Sequence, residues 1–262
     1  MQTGSINIEK PVEYFVNENS VVRKIWGKSD TILFIFAGAA AEFALNKAVD
    51  WLYYTGKLPA DPLGRLFSTV TYARQIVFSE LDQANTAIDK ITAIHSAVEK
   101  SRGATIPDWA YRDVLFMLIW YSMAAFELLE RKLNAAEKEE LFDVFYRVGK
   151  RMQLKGLPEN YTGWLIMHDE HLQSNLLKSN FTIDLFKQYK KHLGGFRYKL
   201  LLESQKLVVP PRVKKLLGFN NINWLQIILW FYKLSRYIKL DGFLKSILLP
   251  RAYRAQINAL DN

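Results

Sequence analysis

The chain has 262 residues, half of them apolar and 14% aromatic, enough to bury a sizeable core in one large domain or two small ones. It contains no cysteine, which excludes disulfides, thiolate zinc sites, iron–sulfur clusters and any haem held or attached through Cys. The net charge of +9 belongs to the last third: from Lys178 onward 16 Lys and Arg stand against 4 Asp and Glu, and before it 19 stand against 22.

The first 18 residues read as irregular, with Pro11 against an early helix and no basic run followed by an apolar one. Ser20–Trp26 predicts a helical turn stopped by Gly27. Ser29 and Asp30 offer caps for a long helix to about Tyr54. Its small-residue run from Ala37 to Ala41 suits close approach of another helix or of a flat ligand. After Gly56, Asp61-Pro62 feeds a helix, since proline is tolerated in a first turn. Ser79, Glu80 and Asp82 mark the next helix start, with acids at its positive end.

Beyond Lys100 a loop with Gly103 and Pro107 leads to Asp108, the expected cap of a long, aromatic helix to about Leu133. Asn134 and Glu137 stand at capping-box spacing before a helix over Ala135–Leu154. Helices are predicted over Tyr161–Leu177, over Phe181–His192 until Gly194-Gly195, over Arg197–Lys206 and after Pro210-Pro211. Aromatic and basic helices over Asn223–Lys239 and Phe243–Ala259 close the chain. No strand alternation, hairpin turn or repeat period is present. No stretch spans a bilayer either: Thr31–Ala41 meets Glu42, Val114–Phe126 meets Glu127, and Leu216–Tyr232 carries three Asn and a Gln. The expectation is one all-α domain with a helical core over about 20–218 and a basic, aromatic C-terminal extension over about 219–262. A chain of this kind is expected in the cytoplasm or peripheral to the cytoplasmic membrane face.

Arg65 and Thr69 are four residues apart, so they share one helix face. On the following helix Ile88, Ile91, His95 and Val98 recur at steps of three, four and three, which places His95 on an apolar stripe facing inward. An inward imidazole beside a helical Arg-x-x-x-Thr suits a haem site, the imidazole ligating iron and the cation and hydroxyl serving propionates or bound oxygen. The same spacing suits a core histidine with a satisfied ring. His168 and His171 share a helix face next to Asp169 and Glu170, but no second Glu-x-x-His and no His-Glu-x-x-His accompany them. That cluster reads as a polar, partly exposed helix face, with a non-haem metal site as the alternative. The basic, aromatic tail suits an anionic membrane surface, and no nucleic-acid-binding motif accompanies it.

Several segments carry a family resemblance in their order and spacing. They are Ser20–Gly27, the helix around Gly38, Asp61-Pro-Leu-Gly-Arg65-Leu-Phe-Ser-Thr69, Ile94-His95, Tyr111–Leu115, Leu133–Lys138, Val148–Met152 and Gly156–Pro158. Together, over about residues 20–175 with an echo at Pro210–Gly218, they resemble the family of the latex-clearing rubber oxygenases and the MpaB oxygenases. The resemblance implies an all-helical fold with a buried haem b, His95 as its proximal iron ligand, and Arg65 and Thr69 as the pair needed for haem retention or activity. It also implies an oxygenase that uses dioxygen on an apolar, unsaturated, isoprenoid-like substrate. Where many bacterial members carry Gln and then His-Pro, this chain has Ala44–Asp50, and Glu42 is the nearest acidic candidate for acid–base work. A haem-free helical protein that binds lipid or isoprenoid at a membrane surface is the alternative reading.

Overall fold

The computed structural model describes residues 12–56, 60–226 and 229, with the backbone alone for 62, 63 and 65–67. The expected helices over Asn223–Lys239 and Phe243–Ala259 lie largely or wholly outside the described residues. Ten α-helices and one 3-10 turn form among those residues, and no strand is longer than an isolated bridge. The all-α expectation holds.

Helix α1 (Val21–Trp26) starts where the Ser20 hydroxyl accepts the Val22 amide. Helix α2 (Ser29–Phe43) is shorter than its sequence predicts. The chain leaves the helix at Ala44, makes a 3-10 turn over Lys47–Val49, and resumes as α3 (Asp50–Tyr54). Tertiary contacts cause the break. The Ala44 carbonyl accepts the Thr182 hydroxyl, the Leu45 carbonyl accepts the Leu177 amide, and the Asn46 side chain caps the 3-10 turn at Ala48.

Helices α4 (Pro62–Phe78) and α5 (Leu81–Arg102) meet at a two-residue corner that folds α5 back along α4. Asp61 caps α4 by accepting from the Gly64 amide, as the proline at N1 anticipates. The corner is pinned by the N-terminal segment: the Leu81 amide donates to the Glu13 carbonyl at 2.8 Å and the Phe15 amide to the Ser79 carbonyl.

Helix α6 (Asp108–Leu129) is central and buries twelve of its residues, as its aromatic density predicts. It lies along α2 closely enough that a Cβ on Gly38 would collide with the Tyr121 ring and crowd Val208. The small-residue run of α2 therefore serves helix packing. Helix α7 (Ala135–Arg151) opens with the Asn134/Glu137 capping box that the spacing predicts. Helix α8 (Tyr161–Ser174) is capped by Asn160. Helix α9 (Asn180–Val208) joins the two helices expected there across an elbow at Gly194, and α10 (Pro211–Leu217) follows. The main core gathers Trp26, Phe36, Tyr121, Leu141, Phe145 and Trp164 from five helices. Each such large side chain contributes about 1.5–3 kcal/mol by leaving water.

Candidate functional site

The two-residue corner decides which parts of α4 and α5 face one another. Arg65 stands fourteen residues before Ser79, and His95 fifteen residues after Glu80. At about 1.5 Å of rise per residue both positions lie about 21–23 Å from the corner. The fold thus sets the Arg65 backbone and His95 at one level of the hairpin, with Thr69 one turn nearer the corner. Thr69 is half-buried, and the Arg65 side chain lies outside the described residues.

His95 is half-buried, less enclosed than its stripe predicts. The buried face of α5 is carried by Ala84, Ala87 and Ile88 and fades toward its C-terminal end. The His95 ring meets the Tyr111 ring edge-on, centroids 5.2 Å apart at 82°. Tyr111 is itself fixed, because its hydroxyl donates to Glu99 Oε1 at 3.1 Å. The same oxygen accepts the Ile106 amide at 2.8 Å, which ties the loop before α6 to α5. Burial first, and then Glu99, push the Tyr111 phenol above its usual range.

A haem needs one imidazole, apolar walls and a cation for its propionates. The hairpin offers His95, a cation position and a hydroxyl on the facing helix. Ile94 beside His95 and Val114 one turn beyond Tyr111 are large apolar side chains left 47% and 40% exposed. That donor set matches the group's chemistry, and the two aliphatic side chains offer it apolar surface that is still partly in solvent.

A second polar cluster, fully buried, lies between α2, α6 and α8. The sequence gives little sign of it, and it corrects the reading of His168 and His171 as a partly exposed face. Both are 3% exposed, and Glu42 and Asp113 are 0% and 2% exposed. His171 Nε2 lies 2.9 Å from Glu42 Oε1, and Nδ1 lies 2.8 Å from Asp113 Oδ1 without pointing its N–H along that line. Tyr121 donates to the other Glu42 oxygen at 2.7 Å, and the Asn46 and Asn175 amides donate to Asp113. Burial alone would lower the His171 pKa, but Asp113 and Glu42 outweigh it and raise it to about 9. His168 is stacked between Trp120 and Trp164, centroids 5.1 and 5.2 Å away. Burial, with only partial compensation from Glu42, brings its pKa down to about 4.

This cluster ties three helices together. His171 faces a carboxylate at each ring nitrogen, through a hydrogen bond at Nε2 and by charge alone at Nδ1, and no described group of His, Asp and Glu has a metal-holding arrangement. Glu42 is likewise engaged, by Tyr121 and His171, and none of its described partners comes from the α4–α5 hairpin. The residue-type signal that could have revealed the cluster is Glu42 itself, a carboxylate inside an otherwise uncharged helical run.

Residues 24–256 match the family described as the ER-bound oxygenase mpaB/B′/rubber oxygenase catalytic domain. The chain belongs to this family. It is thereby an oxygenase-type oxidoreductase, as the order of its motifs implies. No curated protein matches it significantly. Among the described residues no helix is long and apolar enough to cross a membrane.

Proposed function

We propose that this chain is a haem b-dependent oxygenase that uses dioxygen on an apolar, unsaturated substrate of isoprenoid type, with His95 as the iron ligand. The observation that supports this reading best is the register of the α4–α5 hairpin, which brings the family's Arg-x-x-x-Thr segment level with His95 in a chain of the mpaB/rubber oxygenase family. Haem would supply dioxygen activation, chemistry that no side chain provides. His95 offers an imidazole nitrogen, and the fixed Tyr111 ring holds the imidazole plane from one side. Arg65 supplies a cation matched to a propionate carboxylate. Thr69 supplies a hydroxyl one helical turn from it. Ile94 and Val114 present apolar surface beside the imidazole, to which an apolar substrate can bind. The basic C-terminal third brings the His95 site toward a membrane where such substrates dissolve.

The visible spectrum of protein produced with haem supply tests the reading, compared with His95→Ala. A Soret band that is lost or shifted in the variant is the expected result. Well-folded wild type without a Soret band refutes haem dependence and moves the assignment to a haem-free lipid- or isoprenoid-binding protein.

A further inference from the structure

We propose that the elbow of α9 at Gly194 is a membrane-docking tip, which inserts Phe196 into an anionic lipid surface and sets a rim of lysines against the headgroups. Residues 185–202 contain no Asp or Glu and five cations: Lys187, Lys190, Lys191, Arg197 and Lys199. The acids that bracket the stretch are engaged elsewhere. Asp184 accepts the Tyr53 hydroxyl at 2.9 Å, and Glu203 pairs with Lys206 at 2.7 Å. None of the five cations forms an ion pair with a described carboxylate. Among the described residues their charge is therefore uncompensated, and the four lysines are exposed to a negative surface.

The backbone gives this charge a shape. Gly194 has φ 72° and ψ 171°, outside the helical region and on the positive-φ side that an L side chain rarely adopts. The helix turns there, and the surroundings of Gly194 and Gly195 are open for 4 Å around an added Cβ. Both arms of the elbow have already used their inward apolar residues. Leu185 and Tyr189 are buried against Ala44 and Val49, with Leu193, Tyr198 and Leu201 packed around them. Phe196 has no part in that core and stands 61% exposed. An aromatic ring at the apex of a turn, ringed by lysines whose alkyl stems can lie along the acyl boundary while the ammonium groups stay in the headgroups, matches an interfacial anchor. The cations are four Lys to one Arg, which suits diffuse attraction to a charged surface better than the bidentate phosphate contacts of nucleic-acid recognition.

The inference deepens the reading above by naming the surface that delivers an apolar substrate, yet it needs neither cofactor nor turnover to test. The full chain is sedimented with vesicles of phosphatidylcholine alone and with vesicles containing phosphatidylserine, at low and high salt. Binding to the anionic vesicles alone, weakened by salt, is expected. Phe196→Ser should lower partitioning about fivefold or more, and Lys190→Glu with Lys191→Glu at least about tenfold, with helical circular dichroism unchanged in both. Equal partitioning of both variants and wild type overturns the proposal, as does wild-type binding that ignores lipid charge or is transferred to an added RNA duplex. His95→Ala should bind vesicles like wild type, so failure of the haem assignment and failure of the docking tip are separate results.

Discussion

Replacing His171 by leucine removes the cation shared by Glu42 and Asp113 while keeping much of the side-chain volume. The two carboxylates stay buried, and their remaining partners are the neutral donors Tyr121, Asn46 and Asn175. Removing one partner of a buried ion pair costs about 3–5 kcal/mol, because the other charge is left uncompensated. Against a typical domain stability of about 5–15 kcal/mol, that is a large share. Urea unfolding at pH 6.5, followed by tryptophan fluorescence and circular dichroism, should show it as a lower midpoint at an unchanged slope. The pH dependence gives an independent check. The folded His171 pKa is raised to about 9 from an ordinary 6.5. Its contribution is therefore complete below pH 6.5 and lost as pH rises through about 9, a difference of about 3 kcal/mol. Wild type should lose that stability relative to His171→Leu across the interval. A loss below about 1 kcal/mol at pH 6.5, or parallel curves between pH 6.5 and 9, would refute the reasoning.

His168 acts with the opposite sign. Its folded pKa is depressed to about 4, so it stabilises the fold fully above pH 6.5 and loses that contribution as pH falls through about 4. His168→Leu should flatten the acid limb of the stability curve, and an acid limb as steep as that of wild type would contradict it. Gly38→Ala gains about 1 kcal/mol in helix propensity but forces a methyl group into the Tyr121 ring, which Glu42 holds in place. Overpacking costs of about 1–3 kcal/mol should win, read as a lower melting temperature; a stabilised variant would show that α2 and α6 can separate. Tyr111→Ala removes the ring against His95, so haem content per chain should fall, while Tyr111→Phe keeps the edge contact and should retain it. Equal haem content in both variants would exclude the positioning role of Tyr111.

Local signals were legible where the physics is local. The Asn134/Glu137 box, the Asp61-Pro62 start and the glycine stop at Gly103 each form as their residue types dictate, since caps satisfy orphan amides within one turn. The end of α2 was not legible, because Ala44–Asp50 has helical composition and is turned aside by hydrogen bonds with Thr182, Asn175 and Leu177, more than a hundred residues away. His95 shows the limit of periodicity: the stripe fixes which face it occupies, while its half-burial depends on how far α6 and the loop before it extend over α5.

The sequence by itself determined the all-helical class, the family and the pairing of Arg65 and Thr69 on one helical face, because these follow from period, caps and motif order. The tertiary structure alone decided that Glu42, Asp113, His168 and His171 form a buried polar joint. Glu42 and His171 are 129 positions apart, and burial with opposite pKa shifts for two histidines one turn apart arises only when three helices close around them. Spacing along one chain carries no information about which charges will lose their water together.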